Sequence, residues 1–381
     1  MKLKRKLSEF LKRETVLTVA VFLAIVSAVM TPPDREYAGY IDFRTLSILF
    51  CLMTVMAGLQ KLGVFRNIAK KLLRYTQNTI QLVEVLVLLC FFFSMIITND
   101  VALITFVPFT FIVLRLTGEE AVKKLAVPVI VLQTIAANLG SMLTPIGNPQ
   151  NLYLYGKTQM SAGTFILLML PYSLVSLLLL VICGVIVAKR SRIEVRGAEV
   201  LLTEDEKLEQ KKYLLPAYLL LFVLCLLTVA HMIPYPVTLV TVALAVLLLD
   251  RGTIIKVDYS LLLTFVGFFI FIGNMGRMPA FCDFLQKIIG GREVMTAVIA
   301  SQVISNVPAA LLLSGFTENI TALIIGTNLG GLGTMIASMA SLISYKQVVR
   351  QIPGEKKKYF GWFTIANIVF LMILVLENCL L

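Results

Sequence analysis

Histidine and tryptophan occur once each in this sequence, as His231 and Trp362, and charged side chains make up only 15% of its 381 residues. Soluble domains carry about 25% charged residues, so a chain this poor in charge and 58% hydrophobic reads as a polytopic membrane protein. The six cysteines (Cys51, Cys90, Cys183, Cys225, Cys282 and Cys379) stand apart, with no CxxC pair. That spacing speaks against a disulfide framework or a cysteine metal site and reads as small core residues. The sequence has no His/Cys/Asp/Glu cluster for metal or nucleophilic chemistry, which argues against an enzyme. It has no stretch that reads as a soluble sensor domain, which argues against a receptor. A net charge of +12 would suit nucleic acid if it were concentrated, but the charges sit in short loops between apolar runs. They read as an orientation signal, and no nucleic-acid partner is expected.

What is present is a series of apolar runs. The basic segment 1–14 precedes a first span at 15–31, and Thr31-Pro-Pro offers no small-residue cleavage site, so the span reads as uncleaved. A second span runs from Asp42 to about Leu59. Lys61 to Tyr75 places Leu62, Phe65, Ile68, Leu72 and Leu73 on one face and its basic residues elsewhere, the pattern of an interfacial helix. Residues 81–116 are apolar but interrupted by Thr98-Asn99-Asp100. With arms of about 16 residues, short of the roughly 20 that a span needs, they read as a re-entrant hairpin; two ordinary spans with a short turn are the alternative. Gly118 to Lys124 reads as a charged turn. A broken span at 126–155 and a span at 163–188 follow. The linker 189–212 holds seven Lys/Arg and six Asp/Glu. Beyond it come spans at 213–232 and 236–250, an amphipathic stretch after Arg277, a second interrupted hairpin at 293–317, a second broken span at 319–345 and a last span at 360–380.

Two stretches are too polar to be ordinary helix. Within 138–151, Pro145 and Pro149 remove backbone donors while Gly140 and Gly147 loosen the chain. Residues 328–341 repeat the pattern: Asn138, Leu139, Thr144 and Ile146 align at one offset with Asn328, Leu329, Thr334 and Ile336. Asp42 likewise aligns with Asp258, and Thr98-Asn99-Asp100 with Ser305-Asn306-Val307. With the N-terminus in the cytoplasm, alternating loops place 28 of the 34 Lys/Arg on the cytoplasmic side. Asp42 then lies outside and Asp258 inside. The expected fold is therefore all-α and polytopic, an inverted-topology repeat with two re-entrant hairpins and two broken transmembrane helices. Its halves are 1–188, with repeat 42–155, and 213–381, with repeat 258–345, joined by the cytoplasmic linker 189–212. The expected location is the plasma membrane of a prokaryote, with the lipid bilayer as a partner.

Amide and hydroxyl side chains with freed carbonyls at midplane suit a small cation such as sodium, and N–H groups at half-helix starts suit an anion. Asp100 is an ionisable group at membrane depth, hence a candidate for coupling; a structural hydrogen bond at the tip is the blander reading. Glu84, Glu377 and His231 receive no role, and Tyr359 and Trp362 read as interfacial anchors.

Thr98-Asn-Asp-Val-Ala-Leu, the Thr-Pro-Ile-Gly-Asn-Pro-Gln-Asn run at 144–151 and Ser305-Asn306 resemble the ion transporter superfamily, which spans divalent anion:sodium symporters, citrate transporters, arsenite permeases and a class of sodium/proton antiporters. The similarity covers nearly the whole chain. In the anion symporters two Ser-Asn-Thr tips hold sodium and substrate carboxylates. The resemblance implies substrate contacts at Thr98, Asn99, Asn148, Ser305, Asn306 and Thr334. It implies cation coupling at Asn99, Asp100, Asn138, Thr144, Gly147, Asn151, Asn306, Asn328 and Ser338, with sodium at Asn99, Asn138, Asn306 and Asn328. Sodium ions or protons would be the coupling ions, with no other cofactor, and a scaffold domain would allow a homodimer. Asp100 and Val307 depart from the threonine of both tips, which puts dicarboxylate binding in doubt and brings the first tip closer to the arsenite permeases. The expected function is secondary active transport of a small anion, either citrate- or dicarboxylate-like or an inorganic oxyanion, driven by sodium or protons. The alternative is a sodium/proton antiporter or an arsenite-type efflux permease.

Overall fold

The computed structural model describes residues 14–193 and 213–381. The basic segment 1–13 and most of the charged linker, 194–212, lie outside the described residues. Within them the chain is all α-helix with short 3-10 turns and no strand. The first half holds α1 (Thr15–Met30), α2 (Tyr37–Tyr40), α3 (Phe43–Lys61), α4 (Val64–Leu73), α5 (Thr79–Ile97), α6 (Asn99–Thr117), α7 (Glu119–Ser141), α8 (Pro149–Gly156) and α9 (Ala162–Ser191). The second holds α10 (Leu215–Val229), α11 (Tyr235–Leu249), α12 (Tyr259–Gly276), α13 (Pro279–Ile289), α14 (Glu293–Ile304), α15 (Asn306–Leu313), α16 (Ile320–Leu329), α17 (Met339–Gln351) and α18 (Lys356–Leu380). Among the described residues, seven helical segments are long and apolar enough to cross a membrane.

Local chemistry explains where the helices begin. Asp42 caps α3 by accepting the Thr45 N–H at 2.9 Å, and Asp258 caps α12 by accepting the Leu261 N–H at 3.0 Å. Asn78 accepts the Gln81 N–H at 2.9 Å while the Gln81 side chain accepts the Gln77 N–H at 2.7 Å, a reciprocal cap. That cap starts α5 ahead of the apolar run, and α6 already includes Asn99 and Asp100 of the tip, so each arm of the first hairpin has 19 residues rather than about 16. Arm length alone therefore does not separate a hairpin from two spans here. The second hairpin is different, with arms of 12 and 8 residues. The expected charged turn at 118–124 is helix instead. Only Gly118 breaks the chain, at φ 127°, and Glu119 and Glu120 open α7 where acids complement the helix dipole.

The centre of the molecule is α7. Every residue from Leu125 to Ser141 is buried, as expected of a helix apolar on all sides, and α5, α6, α9, α17 and α18 surround it. The amphipathic helix α4 divides its apolar stripe. Phe65, Ala69 and Leu73 pack inward, whereas Ile68 and Leu72 face outward.

The two halves interlock. Helix α1 packs on α12, and α11 packs on α3. Lys61 pairs with Asp250 at 2.7 Å, and Arg277 pairs with Asp34 at 2.6 Å. Asp34 and Asp250, like Lys61 and Arg277, stand at the offset that aligns Asp42 with Asp258. The Arg277 guanidinium, hydrogen-bonded to Asp34, holds that exposed carboxyl below the usual carboxylate range.

Candidate functional site

Each hairpin turns on one strained residue. Thr98 has φ 69° and ψ 149°, and Ser305 has φ 76° and ψ 153°. Non-glycine residues rarely adopt this region, at a cost of about 1–3 kcal/mol. The next residue starts the return arm in both cases. Asn99 accepts the Asp100 N–H through its side chain at 3.0 Å, and Asn306 accepts the Val307 N–H at 3.0 Å. Their own backbone N–H groups reach across to the broken helices. Asn99 donates to the Gly147 carbonyl at 3.1 Å, and Asn306 donates to the Ala337 carbonyl at 2.9 Å. Gly147 and Ala337 stand at the offset that aligns Asn138 with Asn328.

The breaks themselves span 142–148 and 330–338, inside the limits expected. Asn148 caps α8 by accepting the Asn151 N–H at 2.8 Å, and Ser338 caps α17 by accepting the Ala340 N–H at 3.3 Å. Both caps also bridge to the opposite half. The Asn148 amide donates to Asn328 at 3.0 Å, and the Ser338 hydroxyl donates to Asn138 at 2.9 Å. The Asn138 oxygen also accepts the Asn99 amide at 3.1 Å, and the Asn328 amide donates to Asn151 at 2.6 Å. Asn151 in turn gathers the carbonyls of Ser141, Met142 and Thr144 at 3.1–3.3 Å. Thr144 donates to the Met95 carbonyl at 2.5 Å.

The Ser141 hydroxyl joins the two sets, accepting from the Asn148 amide at 3.2 Å and donating to the Asn138 carbonyl at 2.8 Å, so Asn99, Asn138, Asn148, Asn151, Asn328 and Ser338 form one buried network, with Thr144 and Gly147 at its edge. Asn306 and Ser305 dock separately, on the second break, where the Ser305 hydroxyl is 3.4 Å from the Ala337 carbonyl. Thr334 lies apart from the network. It is exposed, and its N–H donates to the Gln302 side chain at 2.8 Å. Gln302 does for the second break what Asn151 does for the first, donating to the carbonyls of Gly330 at 3.1 Å and Leu332 at 2.9 Å. No signal in the sequence sets it apart, since it has the pattern of an ordinary polar residue of a helix. Gly140 also acts differently from expectation. It is helical, and a Cβ there would stand 2.0 Å from the Phe91 carbonyl oxygen, so it allows α5 close to α7 rather than loosening the chain.

The first tip opens on a cavity of about 160 Å³. Thr98, Asp100 and Asn148 line it from one side, Gln60 of α3 from another, and Lys256 and Asp258 from the turn before α12. One Asp100 carboxyl oxygen is buried without a hydrogen-bond partner. The starts of α6 and α8 both meet this cavity, and helix starts carry partial positive charge. A second cavity, of about 310 Å³, lies by the other capping acid. Asp42, Tyr40, Tyr153 and Lys157 line it. Neither lysine was foreseen, because each sits in a loop that only tertiary packing brings to its cavity. Among the described residues no group of His, Cys, Asp and Glu is arranged to hold a metal ion.

Residues 7–322 match the sequence profile described as citrate transporter. An uncharacterized transporter of Methanocaldococcus jannaschii is 30% identical over 361 residues, 94% of each chain. The inner membrane protein YbiR of Escherichia coli is 32% identical over 82% of each chain. A silicon efflux transporter of Oryza sativa subsp. japonica is 32% identical over 153 residues, 39% of this chain and 30% of that protein.

Proposed function

The chain belongs to the citrate transporter family and is a membrane transporter rather than an enzyme, and from that premise we propose a secondary active carrier of a small oxyanion, working by alternating access. In this reading 42–155 and 258–345 are inverted repeats within the halves 1–188 and 213–381, the linker 189–212 is cytoplasmic with the N-terminus, and the two interrupted hairpins are re-entrant. The protein sits in the inner membrane of a prokaryote. The paired tips, caps and cross-half ion pairs support the repeat, and the short second hairpin supports re-entry, since arms of 12 and 8 residues fall well below the roughly 20 of a span.

The observation that carries the substrate reading is the cavity at the first tip. Its 160 Å³ is room for a small anion, and the charges that line it decide which kind. Asp100 and Asp258 outnumber Lys256 among its charged lining residues. Two acids against one base disfavour a multiply charged anion and suit a singly charged oxyanion or its protonated, hydroxylated form. The protonated form makes an arsenite-type efflux permease the alternative with specific support, and the name of the rice relative agrees with it. Of the proposed substrate contacts, Thr98 and Asn148 line this cavity, and Asn99, Ser305 and Asn306 lie outside its lining.

Coupling is read toward protons. Among Asn99, Asn138, Asn306 and Asn328, every side-chain oxygen already accepts a hydrogen bond, and that of Asn138 accepts two. An amide oxygen has two lone pairs, so sodium at Asn138, the amide that binds both halves together, would have to displace one of its two bonds. Asp100 lines the cavity and has a buried carboxyl oxygen without a hydrogen-bond partner, so it needs no such exchange. Proteoliposomes supplied with arsenite, silicic acid, citrate or malate, under a sodium or a proton gradient, test the reading. Uptake of the small oxyacids driven by a proton gradient is expected. Sodium/proton exchange with no uptake of any of the four would overturn it.

A further inference from the structure

A cavity of about 860 Å³ lies on the outer surface of the bundle between α7, α9 and α18, away from the tips and breaks. Its two ends differ in chemistry. At one end stand Lys123, Lys124, Arg190 and Lys358, with Glu120 the one acid among the lining residues. Lys124 pairs with Glu120 at 2.6 Å, and Lys358 bonds Glu355 at 3.1 Å and the Lys123 carbonyl at 3.1 Å. The Lys123 ammonium and the Arg190 guanidinium have no partner among the described residues, and both are exposed. Toward the other end the walls turn apolar through Pro128, Leu132, Cys183, Ile365 and Val369. Trp362, 41% exposed, stands between the two zones.

The dimensions follow from helix geometry. Lys124 to Leu132 and Lys358 to Val369 each run along one helix, and a rise of ~1.5 Å per residue makes these distances about 12 and 16 Å. Half of a hydrocarbon core is about 15 Å. The groove is therefore cationic at one edge and apolar for about the depth of one leaflet. Its charged end belongs to the segments 115–125, 189–212 and 346–358, which carry much of the Lys/Arg excess.

We propose that this groove binds an anionic phospholipid, its phosphate headgroup held by Lys123, Arg190 and Lys358 and one acyl chain laid along α18 past Trp362. Charge complementarity selects this occupant. A zwitterionic lipid brings its own cation to a rim that already has an excess of them, and a second copy of this chain would bring the same basic edge against itself. Basic pockets between helices at the cytoplasmic face are established as sites for such headgroups in membrane proteins generally. The site is independent of what the carrier transports.

Trp362 is the only tryptophan, so its fluorescence reports on this groove alone. The full chain is reconstituted in phosphatidylcholine vesicles containing a minor fraction of brominated phosphatidylglycerol or, in parallel, the same fraction of brominated phosphatidylcholine. Phosphatidylglycerol is expected to quench several-fold more effectively per brominated lipid. The preference should fall by roughly fivefold per cation removed, so Lys123→Gln with Arg190→Gln should bring the two lipids together while transport persists. Equal quenching of the natural chain by both lipids would overturn the proposal. So would a double variant that keeps the preference, or protection of Trp362 from both lipids, which would mean that protein covers the groove. Should the double variant fail to reconstitute, the natural chain in about 1 M NaCl decides, because the Debye length there is about 3 Å. A preference that persists undiminished in that salt overturns headgroup recognition by these cations.

Discussion

Asn138 is the residue on which the two halves meet, for its side-chain oxygen accepts from Asn99 and from Ser338 while its amide reaches the Gly331 carbonyl at 3.3 Å. Replacing it with alanine leaves a buried amide and a buried hydroxyl without an acceptor. Each unsatisfied group costs about 1–3 kcal/mol, so Asn138→Ala should lower the unfolding free energy by several kcal/mol, read from denaturant titration in detergent, and abolish transport. Asp100 predicts the opposite balance. One of its carboxyl oxygens is buried and bonds to nothing, so Asp100→Asn should change stability by less than about 1 kcal/mol, within the range of changes that remove no contact. If Asp100 carries the coupling proton, the same variant loses concentrative uptake and its pH dependence flattens. A variant with unaltered rate and pH profile removes Asp100 from the mechanism. These residues stood out in the sequence because asparagine, threonine and aspartate are costly inside an apolar run. Lys256 and Gln302 did not stand out. Lys256 lies in a 3-10 turn whose course the tertiary fold decides, and Gln302 has the pattern of an ordinary polar residue of a helix.

At the scale of elements, the hairpins and broken helices form four joints, and glycine decides how closely their backbones approach. A Cβ on Gly140 would stand 2.0 Å from the Phe91 carbonyl oxygen, and one on Gly147 would stand 2.1 Å from that of Ser141. Both obstacles are backbone, with no flexible side chain able to yield. Gly140→Ala should therefore destabilise the protein by at least the ~1–3 kcal/mol typical of overpacking, although alanine is the better helix former by about 1 kcal/mol. A thermal unfolding midpoint equal to or above that of the natural chain would show that α5 and α7 are free to separate. The positions of the breaks were legible because proline, glycine and asparagine interrupt hydrophobic runs on both sides. The true length of the hairpin arms was not, since the Asn78 and Gln81 cap extends α5 and Asn99 and Asp100 of the tip are already helical in α6. Hydrophobicity marks where lipid begins, and capping marks where helix begins.

For the whole molecule, the order of spans and the clustering of basic residues could be read from the chain, but not the exchange of partners between its halves. Lys61 finds Asp250 and Arg277 finds Asp34 across separations of 189 and 243 residues, distances at which no periodicity speaks. These two ion pairs also provide the strictest test of the architecture. In an inverted repeat the surroundings of one pair face the cytoplasm and those of the other face outward, even though they occupy matching positions. Glu36 and Gly252 are exposed residues beside the two pairs, at the offset that aligns Asp34 with Asp250. With the natural cysteines replaced, Glu36→Cys in intact cells should react with a membrane-impermeant maleimide, while Gly252→Cys should react only after permeabilisation. Labelling of both positions from one side would mean that the halves are parallel copies. Their tips and breaks would then approach from the same face, and alternation between two openings, which needs one gate at each surface, would lose its structural basis.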